Sequence, residues 1–244
     1  MLKSPRIEGD IMMRLDKLLS HMGYGSRKEV KEYIRKGYVL VGGEVILNDD
    51  FKVDELNDEI VIANETIEYE QNIYIMLNKP DGYISATYDP KDPIVLDLID
   101  GYQKRGLFPV GRLDKDTVGL LLITNDGLLA HKLLSPKSHV DKTYYLKYSG
   151  KFPSNGYKMF EDGITLDDGY KCMPAKFIDL GNNEAHIIIK EGKYHQVKRM
   201  MEAIGCSVTY LKRIAFGPLS LDNNLKEGEY RHLSPIEIES LKKD

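Results

Sequence analysis

The chain has 244 residues, of which 42% are hydrophobic and 30% charged, enough for one large domain or a small domain joined to a medium one. A net charge of −4 excludes a uniformly basic nucleic-acid binder, although a net value conceals local asymmetry. No apolar run approaches a membrane span of about 18 residues, no signal-peptide pattern opens the chain, and Cys172 and Cys206 are too far apart in sequence for a metal-type pair. The six histidines show no metal-ligand spacing, so a cytoplasmic, reduced protein without a metal centre is expected.

Residues 1–12 show no periodicity and read as a disordered lead-in. From Arg14 to His21, Leu15, Leu18 and Leu19 fall at helical spacing. After the Gly23-Tyr24-Gly25 turn, Ser26 caps a second helix, Glu29 completes a capping box and Gly37 ends it. Val30 and Ile34 are its apolar face, which leaves Arg27, Lys28, Lys31 and Arg35 largely outward. Two alternating strands, Tyr38–Val41 and Glu44–Leu47, meet at Gly42-Gly43, and a third is expected at Asp58–Ala63. Arg14 to Leu40 holds seven bases against three acids, whereas Val41 to Ile60 holds one base against seven acids. A charge-rich helix is ordinarily only a solvated face.

The helix-helix-hairpin unit over residues 13–63, with its RLDKLLS opening and SRKEVKEYIRKGYVLVGGEVI run, resembles an S4 RNA-binding domain. That resemblance implies phosphate contacts from Arg14, Arg27, Lys28, Lys31 and Arg35. Residues 64–72 are polar and read as a linker that leaves two domains free to move until RNA is bound. From residue 73 to 244 strands dominate: Tyr74–Leu77, Leu120–Thr124, Thr143–Tyr148, Lys171–Leu180, Glu184–Lys190 and Val208–Phe216. Helices are expected at Asp126–Leu134, Ser154–Asp162, Tyr194–Ile204 and Pro235–Lys242. No βαβ repeat occurs, so the class is α+β with a mixed, mainly antiparallel sheet.

Three segments carry candidate chemistry. Asn78 to Tyr83 ends a strand in a Pro/Gly turn, which on its own is only a tight turn. Gly111 to Gly127 sets Arg112, Asp114 and Asp116 ahead of a strand too apolar to be exposed. A carboxylate at the rim of a rigid sheet can act as nucleophile or base. Glu191 to Met201 opens a helix with Lys198 and Arg199 near its amide-donating end, where cations oppose the macrodipole unless an anion lies close. Asp114 or an RNA phosphate would serve.

Together, and behind the S4-like unit, these segments resemble the pseudouridine synthases of the small-subunit rRNA type. The stretches that carry the resemblance are YIMLNKPDGYISATYDPKDPIVLDLI, GRLDKDTVGLLLITNDG, HVDKTYYLKYSG, EGKYHQVKRMMEAIGCSVTYLKRIAFGPLSL and GEYRHLS. The resemblance implies that Asp114 is the catalytic aspartate, that Lys198 pairs with it and that Tyr144 stacks on the target uracil. It implies too that Arg112 holds the surroundings of a flipped nucleotide. Tyr145 should face the opposite side of its strand, and Asp116 and Thr117 are read as scaffolding for the Asp114 loop.

The chemistry fits these residue types. Conversion of uridine to pseudouridine breaks the N1–C1′ bond, turns the base and rejoins it through C5, with nothing added or removed, so no cofactor is expected. A carboxylate could attack C1′, add to C6 or take the C2′ proton, and the residues do not choose among these. The base must leave its stack to be reached. The leading reading is a monomeric enzyme acting on 16S rRNA or a small-subunit assembly intermediate, with Asp89-Pro90-Lys91-Asp92-Pro93 favouring the small subunit. A 23S rRNA synthase and a non-catalytic RNA-binding assembly factor are the alternatives. A glycosidic-bond hydrolase would need a second acid, for which the sequence offers no motif.

Overall fold

The structure is a computed structural model, and it describes residues 12–55, 57–67, 72–102 and 105–243. Residues 1–11 of the lead-in expected at 1–12 therefore lie outside the described residues, as does most of the second half of the expected linker. The chain divides into two units, one running to Asn72 together with Gly101–Gly106, the other comprising Ile73–Asp100 and Leu107 onward. The short stretch Gly101–Gly106 thus groups with the first unit, although the sequence placed it in the second.

The first unit opens with β1 (Met12–Arg14), so Met12 belongs to a strand rather than to the lead-in. Helices α1 (Leu15–His21) and α2 (Arg27–Arg35) follow. Ser26 and Glu29 form the predicted capping box, satisfying two amide donors that the helix itself leaves unpaired. Next come β2 (Val39–Val41), β3 (Glu44–Val45), β4 (Lys52–Asp54), β5 (Ile60–Ile62) and β6 (Glu65–Ile67). Strands β3-β2-β5-β6 make one sheet, and β1 pairs with β4 separately. Strand β6 occupies the start of the expected linker: Thr66 pairs with Val61 and Ile67 is buried, so one apolar position every few residues was enough to add a strand. Leu15, Leu18, Leu19, Val30, Ile34, Val39 and Ile60 form the core, each worth roughly 1.5–3 kcal/mol on burial.

The second unit comprises β7 (Tyr74–Lys79), β8 (Phe108–Pro109), β9 (Val118–Thr124), α3 (Gly127–Leu134), β10 (Lys142–Ser149) and α4 (Gly156–Asp162). It continues with β11 (Lys176–Gly181), β12 (Glu184–Ile189), α5 (Gln196–Ala203), β13 (Ser207–Phe216), β14 (Leu219–Ser220), β15 (Tyr230–His232) and α6 (Pro235–Lys243). The sheet runs β11-β12-β10-β13-β9-β7-β15, with β14 on β13 and β8 on β9. Among the described strands of this sheet the β13–β9 pairing alone is parallel, so the sheet is mixed and mainly antiparallel, as the spacing predicts. The strand expected over Lys171–Leu180 is shorter at its start, because Cys172 to Ala175 do not join the ladder. The hairpin expected at Gly181-Asn182-Asn183 is present, with both asparagines in the left-handed region (φ 53° and 58°) that a tight hairpin turn requires.

Two features of this sheet position the site. Every residue of β7 and of β9 is buried, so the loops at their ends leave rigid supports. Where β9 meets β13, Gly119 has φ +100°, and a Cβ there would lie 2.3 Å from the Arg213 carbonyl oxygen. Only glycine allows the two strands this approach. Among the described residues no helix is long and apolar enough to cross a membrane.

Candidate active site and nucleic-acid interface

The Asp114 loop, between β8 and β9, is held from below. Lys79, the last residue of β7, is fully buried, and its Nζ donates to the carbonyls of Lys115 (3.0 Å), Thr117 (2.9 Å) and Pro80 (3.1 Å). Burial lowers the Lys79 pKa to about 8, against the opposing charges of Asp81, Asp116 and Asp114. Three acceptors match the three N–H donors of an ammonium. On the other flank the Ser85 hydroxyl accepts from the Leu113 amide and donates to the Leu113 carbonyl, both at 3.0 Å. The Gly82 amide also donates to the Lys115 carbonyl, and the Thr117 amide closes the turn onto the Asp114 carbonyl. The Asn78–Tyr83 segment is therefore more than a turn. It is the clamp on the loop.

Above the loop lies the start of α5. Lys198 Nζ is 3.2 Å from Asp114 Oδ2 and 2.6 Å from Asp116 Oδ1. Burial would lower Lys198, but its hydrogen bond to Asp116 and the two carboxylate charges carry it above the ordinary lysine range. Burial would likewise raise Asp116, and Lys198 outweighs this to hold it below the usual carboxylate range. The side chain of Asp114 is 26% exposed and that of Asp116 67%, so Asp114 is the sheltered carboxylate of the pair. His195 Nε2 approaches Asp114 Oδ1 at 3.6 Å.

The helix begins later than the sequence suggests. His195 is its N-cap, in the left-handed region at φ 48°, and Tyr194 lies outside it. Glu191 accepts from the Gln196 side chain and the Met173 amide, while Gln196 accepts from the Lys193 amide, so the junction is tied to itself. Arg199 is bound by Asp167 and Asp168, with Nη2 2.7 Å from Asp168 Oδ2 and Nε 2.6 Å from Asp167 Oδ1. The anions that two cations at a helix start call for are thus supplied by the chain for both Lys198 and Arg199, and Arg199 meets RNA only by releasing these partners.

Tyr144 lies on the buried side of β10, opposite Arg213 of β13, and is 8% exposed. Arg213 is itself buried: Nε donates to the Leu120 carbonyl at 2.7 Å, the guanidinium lies over the Phe216 ring, and Nη2 has no hydrogen-bond partner among the described residues. Burial lowers its pKa, and the Tyr144 hydroxyl partly opposes this. Tyr145 points to the other face, edge-on to His186 and Tyr210, as strand alternation requires. Arg112 is exposed, and no hydrogen bond or ion pair holds it among the described residues. The structure thus joins Asp114, Asp116 and Lys198 directly, while Tyr144 and Arg112 have separate surroundings. Lys79, Ser85, His195 and Arg213 had not been singled out; the first two act through backbone atoms distant in sequence, which no local pattern records.

In the first unit, Arg14, Arg27, Lys28 and Lys31 line a shallow groove together with Asp16. Asp16, 2% exposed, receives a bidentate pair from Arg14, both bonds at 3.0 Å. Asp49 receives Arg35 at 2.5 Å and lies 3.8 Å from Arg14 and 3.9 Å from Lys31. Of the five predicted phosphate contacts, Arg27 and Lys28 alone have no ion pair among the described residues.

Comparison with known proteins fits this geometry. The family described as RNA pseudouridylate synthase matches residues 73–203, and the S4 domain matches residues 13–60. The chain is 46% identical to an uncharacterized RNA pseudouridine synthase of Bacillus subtilis, over 94% of this chain and 98% of the relative. It is 40% identical to ribosomal large subunit pseudouridine synthase B of the same organism, over 95% of this chain and 96% of that one. It is 37% identical to ribosomal small subunit pseudouridine synthase A of Escherichia coli, over 94% and 100% respectively. A solved structure, described as the crystal structure of pseudouridylate synthase, superposes with a TM-score of 0.67 at 35% identity, covering 94% of this chain and 99% of that one.

Proposed function

The chain belongs to the RNA pseudouridylate synthase family with an S4 domain at its N-terminal end, and we propose that it isomerises one uridine of 16S rRNA. The observation that carries the site assignment is the sheltered Asp114, 3.2 Å from Lys198, on a loop clamped by Lys79 and Ser85. In this reading Asp114 is the reactive carboxylate and Lys198 is its cationic partner. Tyr144 is the ring against which the extruded uracil rests, and Arg112 meets the nucleotides around it. Arg14, Arg27, Lys28, Lys31 and Arg35 contact phosphates.

The bond from C1′ to N1 is exchanged for one from C1′ to C5. The C5 proton leaves and N1 gains a proton, so the atoms balance without a co-reactant. Because the loop is held by backbone hydrogen bonds, Asp114 needs no rearrangement to meet an extruded nucleotide, which is how positioning lowers a barrier.

Support for the small subunit comes from the Asp89–Pro93 segment. Asp89 accepts from the Lys91 and Asp92 amides, and Asp92 pairs with Lys115 at 2.7 Å, so this segment adjoins the Asp114 loop. A second reading, a 23S rRNA uridine, is favoured by the 40% identity to a large-subunit synthase. Mapping pseudouridines in rRNA from cells with and without the gene tests both. Loss of one 16S position is the expected result. Loss of a 23S position instead selects the second reading, and an unchanged map refutes both, leaving an RNA-binding assembly factor.

A further inference from the structure

Tyr194 is 75% exposed, yet its ring is not loose. It stacks on His195 with ring centroids 3.8 Å apart and planes at 18°. His195 in turn reaches Asp114, at 3.6 Å. The backbone beneath is fixed by the Glu191–Gln196–Lys193 hydrogen bonds and by Arg199, whose Nη1 donates to the Tyr194 carbonyl at 3.4 Å while Asp167 and Asp168 hold the same guanidinium. One face of the Tyr194 ring is therefore covered by His195 and the other is open to solvent, one ring removed from the reacting carboxylate.

A large aromatic ring held rigidly at the surface beside a nucleotide site has one evident use. It offers a flat π-face whose ordering cost is met before binding, and every base presents a π-face of its own. Core packing does not explain it, because the ring is mostly in water. We propose that the outer face of Tyr194 is a second base subsite, taking by stacking an unpaired base adjacent in the RNA to the uridine acted on at Asp114. The subsite reads extrusion of the flanking nucleotide rather than its identity, since stacking is tolerant of sequence. It rests on the synthase reading above, and Tyr194 acts in binding rather than in chemistry.

The test uses the full-length enzyme and synthetic RNA fragments spanning the uridine that the wild-type enzyme isomerises. With intact RNA, Tyr194→Ala should raise KM about 5- to 100-fold, the range for loss of one stacked base, with kcat changed much less. Tyr194→Phe and Tyr194→Trp should bind as the wild type does, which separates lost stacking from lost folding or a lost hydroxyl. An abasic residue on one side of the target uridine should weaken binding to the wild-type enzyme by a similar factor, and on that RNA Tyr194→Ala should add no further loss. Unchanged KM in Tyr194→Ala, or an effect that persists in full with abasic residues on both sides, overturns the subsite while leaving the synthase reading intact. A wild-type enzyme that isomerises no rRNA uridine overturns the synthase reading, and the subsite with it.

Discussion

The two units arrange opposite charges in inverse ways. In the first, two acids, Asp16 and Asp49, hold three cations on an open helical surface. In the second, the acid is at the centre: the Lys198 ammonium and the His195 ring face Asp114, and the buried Lys79 grips the backbone of its loop. In the first arrangement the acids are sheltered but the cations are not, the Arg14 and Arg35 side chains being 46% and 65% accessible, so these cations can exchange a carboxylate for a phosphate. The second is anchored by hydrogen bonds to buried strands and does not yield. Exchangeable charge suits a surface that must grasp and release a polyanion, and fixed charge suits a group that must meet one atom.

The comparison predicts that the largest effect comes from the fixed charge itself. Asp114→Asn removes the carboxylate proposed to react and should abolish pseudouridine formation, read by mapping modified sites in rRNA treated in vitro, while RNA affinity in a filter-binding assay stays close to wild type. Normal modification by this variant would sink the catalytic assignment. Asp116→Asn should retain activity within about tenfold, because Asp116 is the exposed member that shares Lys198.

Next in size is the clamp. Lys79→Met leaves the carbonyls of Pro80 and Thr117 without their Lys79 donor and that of Lys115 with the Gly82 amide alone, and lost hydrogen bonds to a charged group cost about 1.5–3 kcal/mol each when nothing replaces them. Turnover should fall at least about tenfold, because a 1 Å misplacement can cost a hundredfold, and the melting temperature should drop by several degrees. Full turnover in a variant that folds would show the clamp to be unnecessary.

The same lysine gives a pH dependence. With a pKa near 8, Lys79 goes from three donors to two as pH rises, so one loop carbonyl loses its partner and turnover should fall through about pH 8. Stability follows the other sign. The folded pKa lies below the ordinary lysine value, so burying the ammonium is costly below about pH 8, and that cost is relieved as pH rises toward the unfolded value of 10.5. Activity should decline without a Lys79-dependent loss of melting temperature. Lys142, lowered by burial to about 8 as well, supplies the control: Lys142→Met should keep the same activity profile. A profile flat to pH 9.5 in the wild type would contradict the role given to the Lys79 charge.

What could be read in the sequence follows the same division between local and distant. The α2 capping box was legible because Ser26 and Glu29 are three residues apart, and strand β9 because seven consecutive positions are buried. Asp114 and Lys198 were legible as motif residues, and their pairing spans 84 positions only because each motif points to the same chemistry. Strands β4, β6 and β15 escaped because a three-residue strand exists only through its partner, as Arg231 does beside Met76. The clamp escaped for a related reason: a lysine at a strand end reads as exposed until its three carbonyl acceptors, two of them more than 35 residues away, are in place. The ties from Arg199 to Asp167 and Asp168 are of the same kind.

The smallest effects belong to the exchangeable charges, and they grade the five basic residues. Arg27 and Lys28 have no ion pair among the described residues, so each phosphate they neutralise should contribute fully to the salt dependence of RNA binding. Arg27→Gln and Lys28→Gln should each reduce the slope of log affinity against log salt by roughly 0.7–0.9. Arg14, Lys31 and Arg35 must first part from Asp16 or Asp49, which weakens each contact by the pair it breaks. Their Gln variants should change the slope less. Asp49→Asn breaks this asymmetry from the other side, since it removes one carboxylate near three cations. It should raise RNA affinity by up to about fivefold at low salt, with the gain fading as screening grows. Equal slopes for all five Gln variants, with no gain in Asp49→Asn, would mean that RNA takes these side chains without regard to the pairs they leave. The grip of the first unit would then be set by net charge alone rather than by which cations its two acids hold in reserve.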